Sequence, residues 1–111
     1  MKKIHLSILS ISLFFLSVSL SASILDNLKI DSAYKIEIFA SDLDSPRQLA
    51  ESADGWIFIG SRSGGKIFAV RDTDGNGESD ERLLVVKGLT MATGVSFFNG
   101  DLFFSEINKI W

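Results

Sequence analysis

The stretch RQLAESADGWIFIGS, residues 47–61, returns in altered form as TGVSFFNGDLFFSE, residues 93–106. Gly55 aligns with Gly100, and WIFIG at 56–60 aligns with DLFFS at 101–105, an offset of 45. GGKIF at 64–68 then aligns with INKIW at 107–111, at an offset of 43 because the second turn is shorter. Two unrelated hairpins of a small sandwich could share one strand core by chance; here three match in succession. A unit repeating every 40 to 45 residues gains its core by stacking on its neighbours rather than by closing on itself.

Within the unit the apolar pattern has a period of two. YKIEIFA puts Tyr34, Ile36, Ile38 and Ala40 on one face and Lys35 and Glu37 on the other, which predicts a strand. SDLDSPRQ breaks the pattern with polar turn residues and the chain's single proline, Pro46. Short strands are expected at RQLAES, WIFIGS, KIFAVR and RLLVVK, joined at Asp54-Gly55, at Gly64-Gly65 and by an acidic loop. Four such strands joined by hairpin turns make one antiparallel meander, and meanders repeating at this period are the blades of a β-propeller. The expected fold is therefore all-β: an antiparallel four-stranded blade plus a partial second blade of a β-propeller, preceded by a signal peptide. The expected division is a signal peptide at 1–23, an extended or loosely helical lead-in and first strand at 24–45, a first complete blade at 46–89 and a partial blade at 90–111. Because Trp111 falls in the third strand of the second unit, the chain is read as a fragment of a longer protein.

The first residues have the layout of a secretory leader. Lys2 and Lys3 precede an uncharged apolar run from Leu6 to Leu20, followed by the small residues Ser21, Ala22 and Ser23. The run is short and serine-rich for a membrane span, so a periplasmic or secreted protein with no membrane span after cleavage is expected; an uncleaved anchor is the alternative. Cysteine is absent, which removes disulfides, thiol chemistry and a lipoprotein anchor. Without Lys2 and Lys3, 9 basic side chains face 14 acidic ones, a net charge of −5. No nucleic-acid partner is expected from that balance, since nothing concentrates Lys and Arg into a phosphate-binding surface.

The acidic loop DTDGNGESD carries the clearest chemistry. Asp72, Asp74 and Asn76 occupy its first, third and fifth positions, Gly77 the sixth and Asp80 the ninth. Hard oxygen ligands at alternate positions, with a glycine at the sharp turn, suit Ca²⁺. The expected ligands are the carboxylates of Asp72, Asp74 and Asp80, the amide oxygen of Asn76 and the backbone carbonyl of Glu78. A twelve-residue helical calcium loop would close on a Glu where Leu83 stands; the shorter loop, closed by an Asp, resembles the calcium hairpins of integrin-type propellers. The other reading is a solvated Asp/Gly turn, which the same composition favours.

PRQLA, IGSRSGGKIFAV and GL…TGVSF…GDLFFSE together resemble the N-terminal part of the soluble glucose/sorbosone dehydrogenases. The resemblance covers most of residues 33–111 and implies a six-bladed propeller that oxidises a small-molecule sugar with pyrroloquinoline quinone. It implies a histidine as general base, yet the only histidine here is His5, inside the expected leader. No catalytic residue is assigned, and the chain by itself is expected to be inert. Ligands of such propellers sit among the loops that here read SDLDSPRQ, SRSGGK and GLTMAT, where Arg62 could face an anionic quinone or simply be a solvated arginine. Trp56, Phe58, Phe97, Phe103 and Phe104 are read as packing between blades. A non-enzymatic, calcium-stabilised propeller acting as a binding module is the competing function.

Overall fold

The computed structural model describes Leu25 and residues 27–111; the leader expected at 1–23, with His5, lies outside the described residues. No helix among the described residues is long and apolar enough to cross a membrane. The chain separates into two units, up to Ile36 and from Glu37 onward. In the first unit the described residues form turns: Tyr34 N donates to Asp31 O at 3.0 Å, and Ala33 N donates to Asp31 Oδ1 at 2.9 Å.

The second unit holds six strands, β1 (Pro46–Glu51), β2 (Ile57–Ser61), β3 (Lys66–Arg71), β4 (Glu81–Lys87), β5 (Val95–Phe98) and β6 (Asp101–Phe104). The first four form one antiparallel meander in the order β1-β2-β3-β4, and β5 pairs with β6 in a second sheet. These are the strands the alternating pattern places, and their register carries the sequence repeat. Gly60 stands opposite Ile67; Ser105 and Ile110, their counterparts in the repeat, form an isolated antiparallel bridge. Phe104 and Trp111 exchange both backbone hydrogen bonds, at 2.9 and 3.1 Å, where the first unit pairs Ile59 with Phe68.

Alternation along β2 and β3 sends side chains to two separate cores. On one face Ile59, Phe68 and Val70 pack with Leu43, flanked by Phe39, Ala40 and Ile57. On the other, Ile67 packs with Ala92 and Val95, flanked by Val86, Leu102 and Phe104. Phe58 and Phe97 stack across the two sheets with centroids 5.6 Å apart and rings within 7° of parallel. Such offset pairs stabilise by about 0.5–1.5 kcal/mol beyond the area they bury.

The strand expected within 24–45, at YKIEIFA, does not form. A strand needs a backbone partner as well as alternating side chains. Here the carbonyl of Phe39 instead accepts a hydrogen bond from Ser79 N at 2.8 Å, and the chain crosses the face of the meander. Of the every-second-residue set only Ala40 packs against the core, beside Phe39 from outside that set and ahead of the buried Leu43; Tyr34 is 75% exposed.

Candidate functional site

The meander puts its connections at opposite ends. The β1–β2 and β3–β4 hairpins lie at one end; the β2–β3 turn, the approach to β1 and the exit from β4 lie at the other. The acidic loop is the β3–β4 hairpin, and Arg62 is in the β2–β3 turn. The two candidate sites are therefore separated by the length of the strands.

In the acidic hairpin, oxygens of Asp72, Asp74 and Asp80 come within 4.8 Å of one another. Local hydrogen bonds set the curve. The Asp72 carboxylate accepts from Gly75 N at 2.7 Å and Gly77 N at 2.9 Å, and Asn76 Oδ1 accepts from Glu78 N at 2.8 Å. Asp80 Oδ2 accepts from Thr73 N at 2.9 Å and Thr73 Oγ1 at 2.7 Å, drawing the ninth position back to the second. Gly77 has φ +92°, a conformation in which a side chain would be strained. That is the physical reason for glycine at the sixth position.

Electrostatics inside the loop follow from these bonds. The Gly77 N–H, with smaller contributions from Gly75 and Asn76, holds the Asp72 carboxyl below its ordinary value. The Thr73 hydroxyl and N–H do the same for Asp80, outweighing the opposing charge of Asp72. At Asp80 the repulsion from Asp72 is thus present but is more than offset by donated hydrogen bonds. The Glu78 side chain stays outside the carboxylate cluster. A set of three carboxylates and one amide oxygen suits a hard cation.

At the other end, three loops are tied together. Arg62 N donates to Ser45 O at 3.3 Å, Ser63 Oγ to Ser45 Oγ at 2.7 Å, and Leu89 N to Gly65 O at 3.0 Å. Lys66 Nζ pairs with Asp44 Oδ2 at 2.6 Å, and the fully buried Ser61 hydroxyl donates to Asp44 O. SDLDSPRQ, SRSGGK and GLTMAT thus meet at one end of the sheet. Arg62 is exposed there, while Lys66 is engaged by Asp44. The pair of Asp44 and Ser61 escaped sequence reasoning, because nothing in the local pattern marks a residue 17 positions away as its partner.

The aromatic set divides. Phe58, Phe97 and Phe104 pack between the two sheets. Trp56 lies beneath the Arg71 guanidinium, 4.5 Å from its ring centre, while Arg71 also pairs with Glu81 at 2.5 Å. Phe103 is near half exposed. Neither Trp56 nor Phe103 belongs to the two described cores.

No protein-family profile matches the chain, and no solved structure matches it. An uncharacterized protein of Borreliella burgdorferi is 28% identical over 97 residues, which are 86% of this chain and 24% of that protein. The chain therefore spans about a quarter of the length of the relative it matches.

Proposed function

We propose that this chain is the N-terminal part of an exported β-propeller sugar dehydrogenase of the glucose/sorbosone type, in which it supplies scaffold and a calcium-braced hairpin rather than reacting groups. The observation that carries the reading is the tying of SDLDSPRQ, SRSGGK and GLTMAT at one end of the meander. Pro46, Ser61, Gly64, Gly65 and Gly94, residues of the motifs on which the resemblance rests, lie within these loops or directly beside them. Propeller enzymes build their ligand face from such loops. The repeated register of the second sheet supports further units of the same kind, and the length of the relative leaves room for them.

Pyrroloquinoline quinone carries three carboxylates, and one exposed guanidinium at Arg62 is not a pocket for it. No residue of this chain is assigned to the quinone, and no step is routed through it. The general base has to come from elsewhere in the whole protein, because the chain's one histidine is His5. Calcium fits better: Asp72, Asp74 and Asp80 supply carboxylates, Asn76 its amide oxygen and Glu78 its carbonyl. At the end of the sheet remote from Arg62, its role is to brace the β3–β4 hairpin.

The test is turnover by the full-length protein given pyrroloquinoline quinone, Ca²⁺, a panel of aldoses and an artificial electron acceptor. Quinone-dependent oxidation of at least one sugar is expected, and none from residues 24–111 alone. A well-folded full-length protein inert to every sugar would overturn the enzyme reading in favour of the calcium-stabilised binding module. Export is tested separately, by fusing residues 1–30 to a reporter active only outside the cytoplasm; a silent reporter would defeat the periplasmic or secreted assignment.

A further inference from the structure

The chain contains two Asn-Gly pairs, Asn76-Gly77 and Asn99-Gly100, and the structure places them in opposite chemical situations. An asparagine followed by glycine is open to attack on its own side chain, since no Cβ on the next residue obstructs the approach. The backbone nitrogen of the glycine forms a bond to Cγ of the asparagine, and the Cγ–Nδ2 bond breaks. Nδ2 leaves as ammonia, with the proton given up by the glycine nitrogen, and a succinimide ring remains. Water then opens the ring at either carbonyl, giving aspartate or isoaspartate. No oxidant or reductant enters.

Both partners of this reaction are held at Asn76-Gly77. Gly77 N donates to Asp72 Oδ2 at 2.9 Å, so the nucleophile is engaged. The Asn76 side chain is held at both ends, accepting from Glu78 N at 2.8 Å and donating to Asp74 Oδ2 at 3.2 Å. Reaction there requires several hydrogen bonds to open together.

Neither partner is held at Asn99-Gly100. These two residues are the whole connection between β5 and β6, with Phe98 opposite Asp101, and both have positive φ, +51° and +89°. Both are exposed, and among the described residues no hydrogen bond engages the Asn99 amide or the Gly100 N–H. The turn caps a pair of four-residue strands, and its neighbour Phe98 is itself 66% exposed. Opening the turn to the attacking geometry therefore disrupts little else.

We propose that Asn99 is a site of spontaneous deamidation and isoaspartate formation, and that the Asp72 carboxylate protects the identical dipeptide at Asn76. Conversion at Asn99 adds a negative charge to the β5–β6 turn. In the isoaspartyl product it also adds a methylene to the backbone of a two-residue turn.

The experiment incubates the full-length protein at neutral to mildly alkaline pH and follows both sites by peptide mass mapping, with an isoaspartate-specific methyltransferase as second readout. Deamidation is expected at Asn99 while Asn76 stays intact. An unfolded control should convert both at similar rates. In Asp72→Ala, conversion should appear at Asn76 with Asn99 unchanged, and Asn99→Gln should abolish the signal at the turn. Equal conversion at both sites of the folded protein, or Asn76 reacting ahead of Asn99, would overturn the proposal. So would an Asn99 that stays inert while the unfolded control converts. Circular dichroism on Asp72→Ala ensures that exposure of Asn76 is read in a folded chain; if that folded variant still protects Asn76, the protective role of Asp72 is refuted.

Discussion

Asp80 closes the acidic hairpin by accepting from both the hydroxyl and the N–H of Thr73, and it is also the candidate for the closing calcium ligand. Two substitutions separate these roles. Asp80→Asn keeps an acceptor for Thr73 and loses the charge, whereas Asp80→Ala loses both. Extracellular-type sites bind calcium at roughly 10⁻⁴–10⁻³ M, so tenfold excess over Kd stabilises the folded state by about 1.4 kcal/mol. Calcium should raise the melting temperature of the full-length protein and of Glu78→Ala. It should leave Asp80→Asn unmoved, with Asp80→Ala less stable than either even without the ion. A response shared equally by Asp80→Asn and Glu78→Ala would reduce the loop to an acidic turn. Acid probes the same carboxylates. Asp72 and Asp80 are held below their ordinary value of 3.8, so what they contribute to stability is complete above that value and is lost as pH falls through the lower, folded values. The protection of the Gly75 and Gly77 amides, taken relative to the intrinsic exchange rate at each pH, should fall on acidification below about pH 4, and Asp72→Asn should flatten that dependence. The ligand types and spacing were legible in the sequence, because alternate oxygens and a glycine make a local pattern. The Thr73–Asp80 tie was less so, since it depends on how the hairpin closes.

Strands were legible wherever a period of two met a turn residue, and β1 to β4 follow the quoted runs closely. The pattern failed at YKIEIFA because alternation says which side chains share a face and nothing about which backbone lies alongside. Leu43, set among turn residues in SDLDSPRQ, gave no signal of being buried, yet it joins Ile59, Phe68 and Val70. Packing between the sheets rests on two features that can be tested. Phe58 and Phe97 stack at 5.6 Å; a double-mutant cycle with Ala at each should give a coupling energy of about 0.5–1.5 kcal/mol in the full-length protein. A coupling of zero would mean that the rings are neighbours without being partners. Gly60, in β2, is the second feature: a Cβ there would lie 2.8 Å from Thr93 O and 3.0 Å from Ala92 O, both backbone atoms. Gly60→Ala should therefore push the 92–94 segment away and cost about 1–3 kcal/mol, read as a lower denaturant midpoint. An unchanged midpoint would show that the two sheets are not in close contact at this point.

At the scale of the molecule, much apolar surface lies outside the two cores. Leu49 of β1 is 62% exposed and Ile110 81%, while Trp111, Phe103, Leu83 and Leu84 are each near half exposed. Pro46, Leu49, Ile57 and Ile59 line an open apolar groove of about 320 Å³ beside Phe39 and Leu43. A chain that spans about a quarter of its relative is expected to leave such surface where further repeats of the proposed propeller would stack, because repeat units bury their faces against neighbours. Exposed apolar area of this extent promotes association in water. Residues 24–111 produced alone should accordingly bind a hydrophobic dye, self-associate with rising concentration and melt over a broad range. The full-length protein should bind little dye and unfold in a sharp transition. The comparison isolates stacking, since the strands and turns of this segment are identical in both. Should residues 24–111 instead remain monomeric by sedimentation, exclude the dye and unfold cooperatively, the two sheets would constitute a self-sufficient domain and the propeller reading would lose its physical basis.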